Sequence, residues 1–252
     1  MEAKEVVEDI RDYCLENADA EVVKKYSTYF REGYDAYGLT HEKISFIVKK
    51  VLNIPNMYPD LIFEIADLLI KSGKYEETSI AILLVASLKK QFGNKIFKEI
   101  SNWFTYGIKN WAHCDSLCTE LISPLLINSD ISLKDLESWK TSKNKYQRRS
   151  IPVSLIKLLS HKYDINKLLN FIDSMMLDKA REVHQGLGWF LREAWTKDKQ
   201  KVEPFLIKWK DKSIRLIYQY AQERMTKEEK EKFRKEKRKE TENLSTDLET
   251  TN

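Results

Sequence analysis

The chain has 252 residues, 42% of them hydrophobic and 33% charged, with a formal net charge of +4. Seven glycines and five prolines are under half of ordinary usage. That scarcity excludes turn-dense sandwiches and barrels, and it leaves little from which to build glycine loops around phosphates.

Helical periodicity recurs along the chain, and no stretch reads as a strand of period two. The spacing predicts helices near 3–16, 20–30, 41–53, 58–72, 75–92 and 95–110. Further ones follow near 114–128, 132–140, 144–161, 165–176, 179–196, 199–209 and 212–224. Gly73 reads as a helix C-cap, two prolines punctuate 53–59, and Gly93 with Asn94 ends the helix through Phe92. A dozen or so helices paired by tight links, about 35–40 residues per pair, give an all-α, HEAT-like α-solenoid of paired antiparallel helices. An irregular helical bundle is the competing architecture. Residues 1–225 read as a single repeat domain. Residues 226–252 read as a charged extension: Thr226 and Glu229 form a capping-box pattern, 227–240 has almost nothing to bury, and 241–252 is expected to be disordered.

No targeting segment or membrane span is expected. Met1 to Asp12 alternates charges, and Ile80 to Leu88 is too short to cross a bilayer. Cys14, Cys114 and Cys118 make no disulfide framework and point to the cytoplasm. His113, Cys114 and Cys118 lack the second ligand pair that structural zinc wants, so buried helical cysteines and no metal are expected.

The net charge hides an asymmetry. Residues 1–72 hold 9 basic and 14 acidic side chains, and the remainder holds 34 basic and 25 acidic. A basic excess suggests a polyanion, with nucleic acid first, although charged helix faces are often merely solvated.

Three clusters carry the candidate chemistry. Trp111 and Asp115, four apart, share one helix face. Alone, Asp115 also reads as an N-cap for a helix starting at Ser116, and Trp111 as core. Between Lys134 and Arg149 lie six basic and two acidic residues, among them Lys143, Lys145, Arg148 and Arg149. Adjacent arginines point about 100° apart on a helix, so one can face a groove and offer phosphate its planar fork. Gly186 and Gly188 sit inside a helix, at about 1 kcal/mol each against Ala, which tight helix packing explains. The third glycine and preceding strand of a dinucleotide loop are missing.

In this order and spacing the clusters resemble the AlkD-like DNA alkylation repair family of HEAT-repeat DNA glycosylases. Four stretches carry the resemblance over about residues 20–220. They are Lys74–Leu84 (KYEETSIAILL), Asn110–Ser116 (NWAHCDS), Ser142–Arg149 (SKNKYQRR) and Gly188–Glu193 (GWFLRE). The resemblance implies that Asp115 is the catalytic carboxylate, with Trp111 and Trp189 as active-site tryptophans. It implies that Arg149, rather than Arg148, holds the DNA backbone, and that Tyr26 is an aromatic near the lesion. Arg148, Lys143 and Lys145 are carried as DNA-binding residues, lining a concave basic groove. Ala112, Tyr146 and Pro152 depart from the family pattern; Pro152 is expected to kink the helix after Arg149.

The implied activity is excision of cationic alkylated purines, 3-methyladenine and 7-methylguanine, from duplex DNA in base excision repair. It would need no cofactor, would leave the base stacked, and would be carried out by a monomer. The alternative is a helical-repeat protein that binds DNA or another protein without catalysis.

Overall fold

The computed structural model describes residues 2–91, 93–161 and 163–234. Fourteen α-helices and no strand occur among the described residues. The N-terminal helices are α1 (Ala3–Glu16), α2 (Ala20–Ser27), α3 (His41–Leu52), α4 (Pro59–Ser72) and α5 (Tyr75–Ala86). The middle holds α6 (Gly93–Tyr106), α7 (Trp111–Leu117), α8 (Ser123–Ile127) and α9 (Lys145–Leu158). Then come α10 (Ile165–Ile172), α11 (Arg181–Lys197), α12 (Lys199–Trp209), α13 (Arg215–Ala221) and α14 (Lys227–Glu231).

The starts of these helices follow from short polar side chains that accept the orphan first-turn amides. Asp19, Thr40, Asn110, Asn144, Asp164 and Asp198 each cap a helix this way. Pro59 opens α4, where its missing N–H costs nothing, and Gly73 closes it in the left-handed conformation at φ 81°.

Helices α5, α7, α9, α11 and α13 form a row, each packed on the next. Helices α4, α6, α10 and α12, with the 3-10 segment Leu133–Thr141, back that row. Helix α5 is buried on almost every side, from Glu76 to Ala86, which places it at the centre of the N-terminal half. This is the helical-repeat solenoid that the periodicity predicts.

Several boundaries differ from the sequence expectation. Helix α5 stops at Ala86, and Gly93 opens α6 rather than closing the helix before it. The 132–140 helix is a 3-10 segment opened by the Ser132–Asp135 capping box. Asp115 is not an N-cap: Asn110 caps α7, and Asp115 lies inside it one turn after Trp111. Helix α9 runs from Lys145 to Leu158 with Pro152 inside it.

Between α7 and α8 the chain stays helical through a π-turn, Cys118–Ile122, in which the Ser123 N–H reaches back five residues to the Cys118 carbonyl. Pro124 follows and has no N–H to continue the α-ladder, so the wider turn absorbs the break. The extra residue keeps one seam facing α9. Cys114, Cys118 and Ser123 donate in turn to the carbonyls of Tyr146, Ser150 and Ser154. All three cysteines are free and buried.

Thr226 does cap α14, with Glu229 completing the box. Among the described residues of the charged segment one is buried: Phe233 packs edge-on against Trp195 at 5.7 Å and beside Tyr218. The disorder expected for 241–252 lies outside the described residues. No described helix is long and apolar enough to cross a membrane.

Candidate active site

The packed row of helices delivers side chains from four consecutive members to one open cleft of about 400 Å³. Trp111 and Asp115 come from α7, Arg149 from α9, Gln185, Trp189 and Arg192 from α11, and Tyr220 from α13. Tyr29, on the connector between α2 and α3, closes one side.

Asp115 and Arg149 form a bidentate pair. Arg149 Nε donates to Asp115 Oδ1 and Nη2 to Oδ2, both at 2.8 Å, and Nη1 donates to the Glu182 carbonyl at 2.7 Å. Such a fork fixes the carboxylate plane. Burial pushes the Asp115 carboxyl above its ordinary range, and the hydrogen bonds and charge of Arg149 oppose that rise. For Arg149, burial works against the charge, and the pairing with Asp115 more than offsets it. The pairing with Arg149 favours the carboxylate form of Asp115 against the effect of burial, and Asp115 leaves 16% of its side chain open toward the cleft.

Trp111 is held on one face and one edge. Phe30 stacks on it at 5.6 Å with an interplanar angle of 11°. Its indole N–H donates to the Tyr29 carbonyl at 3.2 Å. The remaining surface lines the cleft, and 39% of the residue is exposed.

The connector that carries Tyr29 and Phe30 spans 28–40, long for a loop without structure of its own. Buried carboxylates from α5 anchor it. Glu76 accepts the backbone N–H groups of Tyr37, Gly38 and Leu39 at 2.8–3.1 Å. Glu77 takes the Tyr37 hydroxyl at 2.7 Å and the Arg11 guanidinium at 3.1 Å. Gly38, at φ 87°, is where the loop passes the Asp19 carbonyl so closely that an added Cβ would sit 2.1 Å from its oxygen. Farther along the cleft, Glu32 receives both Tyr146 Oη at 2.7 Å and Lys145 Nζ at 2.9 Å.

His113 ties α7 to the start of α5. Its Nε2 meets the Tyr75 carbonyl and its Nδ1 meets Asn110 Nδ2, both at 2.9 Å. Its ring stacks on Tyr75 at 4.6 Å. Burial pulls its pKa down to about 4, so the ring is neutral at pH 7. Among the described residues no group of three or more His, Cys, Asp or Glu forms a metal cluster.

The structure brings Trp111, Asp115, Arg149 and Trp189 together. It puts the other sequence-named residues elsewhere. Arg148 is committed to Asp178, at 2.6 and 3.1 Å, and to the Ser142 carbonyl. Lys145 lies between Glu32 and Glu182, at 2.9 and 2.8 Å. Lys143 is exposed and does not line the cleft. Tyr26 is also exposed and lies 6.3 Å from the Tyr29 ring; it is Tyr29 that reaches the cleft.

Sequence reasoning missed Tyr29, Gln185, Arg192 and Tyr220. For Gln185 and Arg192 the signal exists, since four before and three after Trp189 put both on its helix face. For Tyr29 the signal is the density of aromatics from Tyr26 to Tyr37 in a segment with no helical period. Tyr220 offers no such signal; Gln185 Nε2 donates to its hydroxyl at 2.7 Å.

A helical-repeat fold that presents one paired carboxylate between two tryptophans defines the class: an all-α solenoid with an acid–aromatic cleft. The family model for DNA alkylation repair enzymes matches residues 11–225, and the chain belongs to that family. Two solved structures share the fold. A predicted DNA alkylation repair enzyme from Enterococcus faecalis superposes with a TM-score of 0.73 at 15% identity, covering 84% of this chain and 98% of its own. AlkD2 from Streptococcus mutans gives 0.58 at 19% identity, covering 80% and 98%. No curated protein matches the chain in sequence.

Proposed function

We propose that the protein is a DNA glycosylase that hydrolyses the N-glycosidic bond of cationic alkylated purines, 3-methyladenine and 7-methylguanine, in duplex DNA. The observation that carries this reading is Asp115, fixed by Arg149 in a bidentate pair and open to a cleft walled by Trp111 and Trp189.

A cationic purine leaves as a neutral base, so no general acid has to protonate it. Positive charge builds instead on the deoxyribose, and a fixed carboxylate stabilises it. A bare carboxylate at about 4 Å and an effective dielectric near 20 supplies roughly 4 kcal/mol. Pairing with Arg149 leaves Asp115 less than that, yet 100-fold in rate needs only about 2.7 kcal/mol. Asp115 also accepts a hydrogen bond from the attacking water as it becomes a nucleophile. The indoles offer π faces to a cationic nucleotide, at about 0.5–2 kcal/mol each. An open cleft with aromatic walls suits approach from the sugar side with the base left stacked. Arg149 acts in this scheme as the positioning residue of Asp115. The protein works as a monomer in the cytoplasm, within base excision repair.

The test is release of free base from methylated duplex DNA by the wild type and by Asp115→Asn. We expect release by the wild type and a loss of at least about 100-fold in the variant. A variant at near wild-type rate would remove the carboxylate from the mechanism. No release by the wild type, with DNA binding intact, would leave a non-catalytic DNA-binding solenoid.

A further inference from the structure

A duplex has to be held by its phosphates, and two of the arginines first read as doing so are bound to aspartates. Four arginines line the cleft and the recess that adjoins it: Arg149, Arg192, Arg31 and Arg181. Arg149 is bound to Asp115, and Arg192 to Glu193 and Glu223. Arg148, next in the chain, is bound to Asp178. Arg31 and Arg181 remain. Both are exposed, and among the described residues neither meets a carboxylate within ion-pair distance.

These two arginines line one recess of about 140 Å³. It shares Tyr29, Trp111 and Gln185 with the main cleft, so a strand passing Asp115 continues directly into it. Arg31 comes from the anchored connector, and Arg181 is the first residue of α11. Ala180, the N-cap of that 17-residue helix, gives no side-chain acceptor to its first-turn amides. The helix therefore adds partial positive charge where Arg181 stands. The recess also holds Glu32 and Glu182, but Lys145 lies between them. Arg31, Arg181 and Lys145 together outnumber the two carboxylates.

We infer that Arg31 and Arg181 form a phosphate clamp for one strand of a DNA duplex, gripping the backbone beside the nucleotide that lies against Asp115. The inference rests on the DNA reading above and adds the residues that hold the backbone. Guanidinium forks from opposite walls each take one phosphodiester of the strand without touching a base, so the contacts are indifferent to sequence.

Equilibrium binding of an unmodified duplex, measured across salt, tests this with Arg31→Gln, Arg181→Gln and the double variant. Each lost phosphate contact lowers the slope of log affinity against log salt by about 0.9. The double variant should lose about 1.8 in slope, so its affinity deficit shrinks roughly twelvefold between 50 and 200 mM salt. The pair Arg31→Lys with Arg181→Lys should keep the slope, because the charge stays. An unchanged slope in the double Gln variant, with salt-dependent binding by the wild type, overturns the clamp and leaves the glycosylase standing. A wild type that does not bind DNA overturns both. Base release by wild type alongside an unchanged variant slope places the backbone contacts elsewhere.

Discussion

The two walls of the cleft are built from different physics. One wall is the 28–40 connector with Trp111, a loop held by carboxylates: buried Glu76 on three amides, buried Glu77 on Tyr37 and Arg11, and exposed Glu32 on Tyr146 and Lys145. The other wall is α11, where Gly186 lets α9 approach and Gly188 lets α13 come so close that Tyr220 Cβ would lie 2.5 Å from a Cβ at Gly188. The loop wall depends on satisfied hydrogen bonds and is vulnerable to charge removal and to acid. The helical wall depends on shape and is vulnerable to added volume. An aromatic surface that must meet a nucleotide can thus be made rigid in two ways, and each fails under its own kind of substitution.

The largest expected effect is on the loop wall. Glu76→Ala leaves the Tyr37, Gly38 and Leu39 amides without their acceptor in and around buried backbone. At about 1–3 kcal/mol per unsatisfied group, a loss of about 3 kcal/mol or more in unfolding free energy follows. Chemical denaturation measures it. Trp111 fluorescence should change with it, because Phe30 and the Tyr29 carbonyl hold that indole from the same loop. A variant of wild-type stability would mean that the connector is held mainly by its aromatic packing.

The next effect is a pH dependence confined to the loop wall. His113 is pulled from 6.5 down to about 4 by burial, so the unfolded chain takes up a proton that the folded chain refuses. Stability from this residue is present above pH 6.5 and is lost as pH falls toward 4. The shift corresponds to roughly 3 kcal/mol across that window at about 1.36 kcal/mol per pH unit. His113→Asn, whatever its absolute stability, should show a flatter stability curve between pH 6.5 and 4. Equal slopes for wild type and variant would assign the acid sensitivity to another group.

The same contrast explains what could be read from the sequence. The solenoid, most helix spans and the face shared by Trp111 and Asp115 follow from periodicity, since a helix repeats its own rule. Gly186 and Gly188 announced close packing because glycine inside a helix needs a reason. The loop wall obeys no period, so Tyr29 was passed over for Tyr26, three residues earlier. The roles of Arg148 and Lys145 were hidden for another reason. Their carboxylate partners, Asp178, Glu182 and Glu32, lie 30, 37 and 113 residues away, and nothing local shows that such a charge is already paired. A basic run in a sequence counts charges, whereas a binding surface is made from those left unpaired.

The smallest effects separate two glycines on the helical wall. At Gly188 an added Cβ meets Tyr220 Cβ at 2.5 Å and the Ile217 carbonyl oxygen at 2.7 Å. Neither can swing aside, so α13 must move. Gly188→Ala should cost about 1–3 kcal/mol from overpacking, partly offset by about 1 kcal/mol of helix propensity. At Gly186 the nearest atoms are Arg149 Cγ, Pro152 Cγ and Val153 Cγ2, all at 3.3 Å. These need yield only a few tenths of an ångström, and the propensity gain offsets that strain. Gly186→Ala should therefore melt within a few degrees of the wild type. Its effect should fall on the rate of base release, because the atom that yields belongs to the arginine fixing Asp115. A melting temperature near wild type with a reduced release rate would show that Arg149 acts through its position. Wild-type values for both would show that the bidentate pair absorbs the displacement, and that the loop wall alone limits the geometry of the cleft.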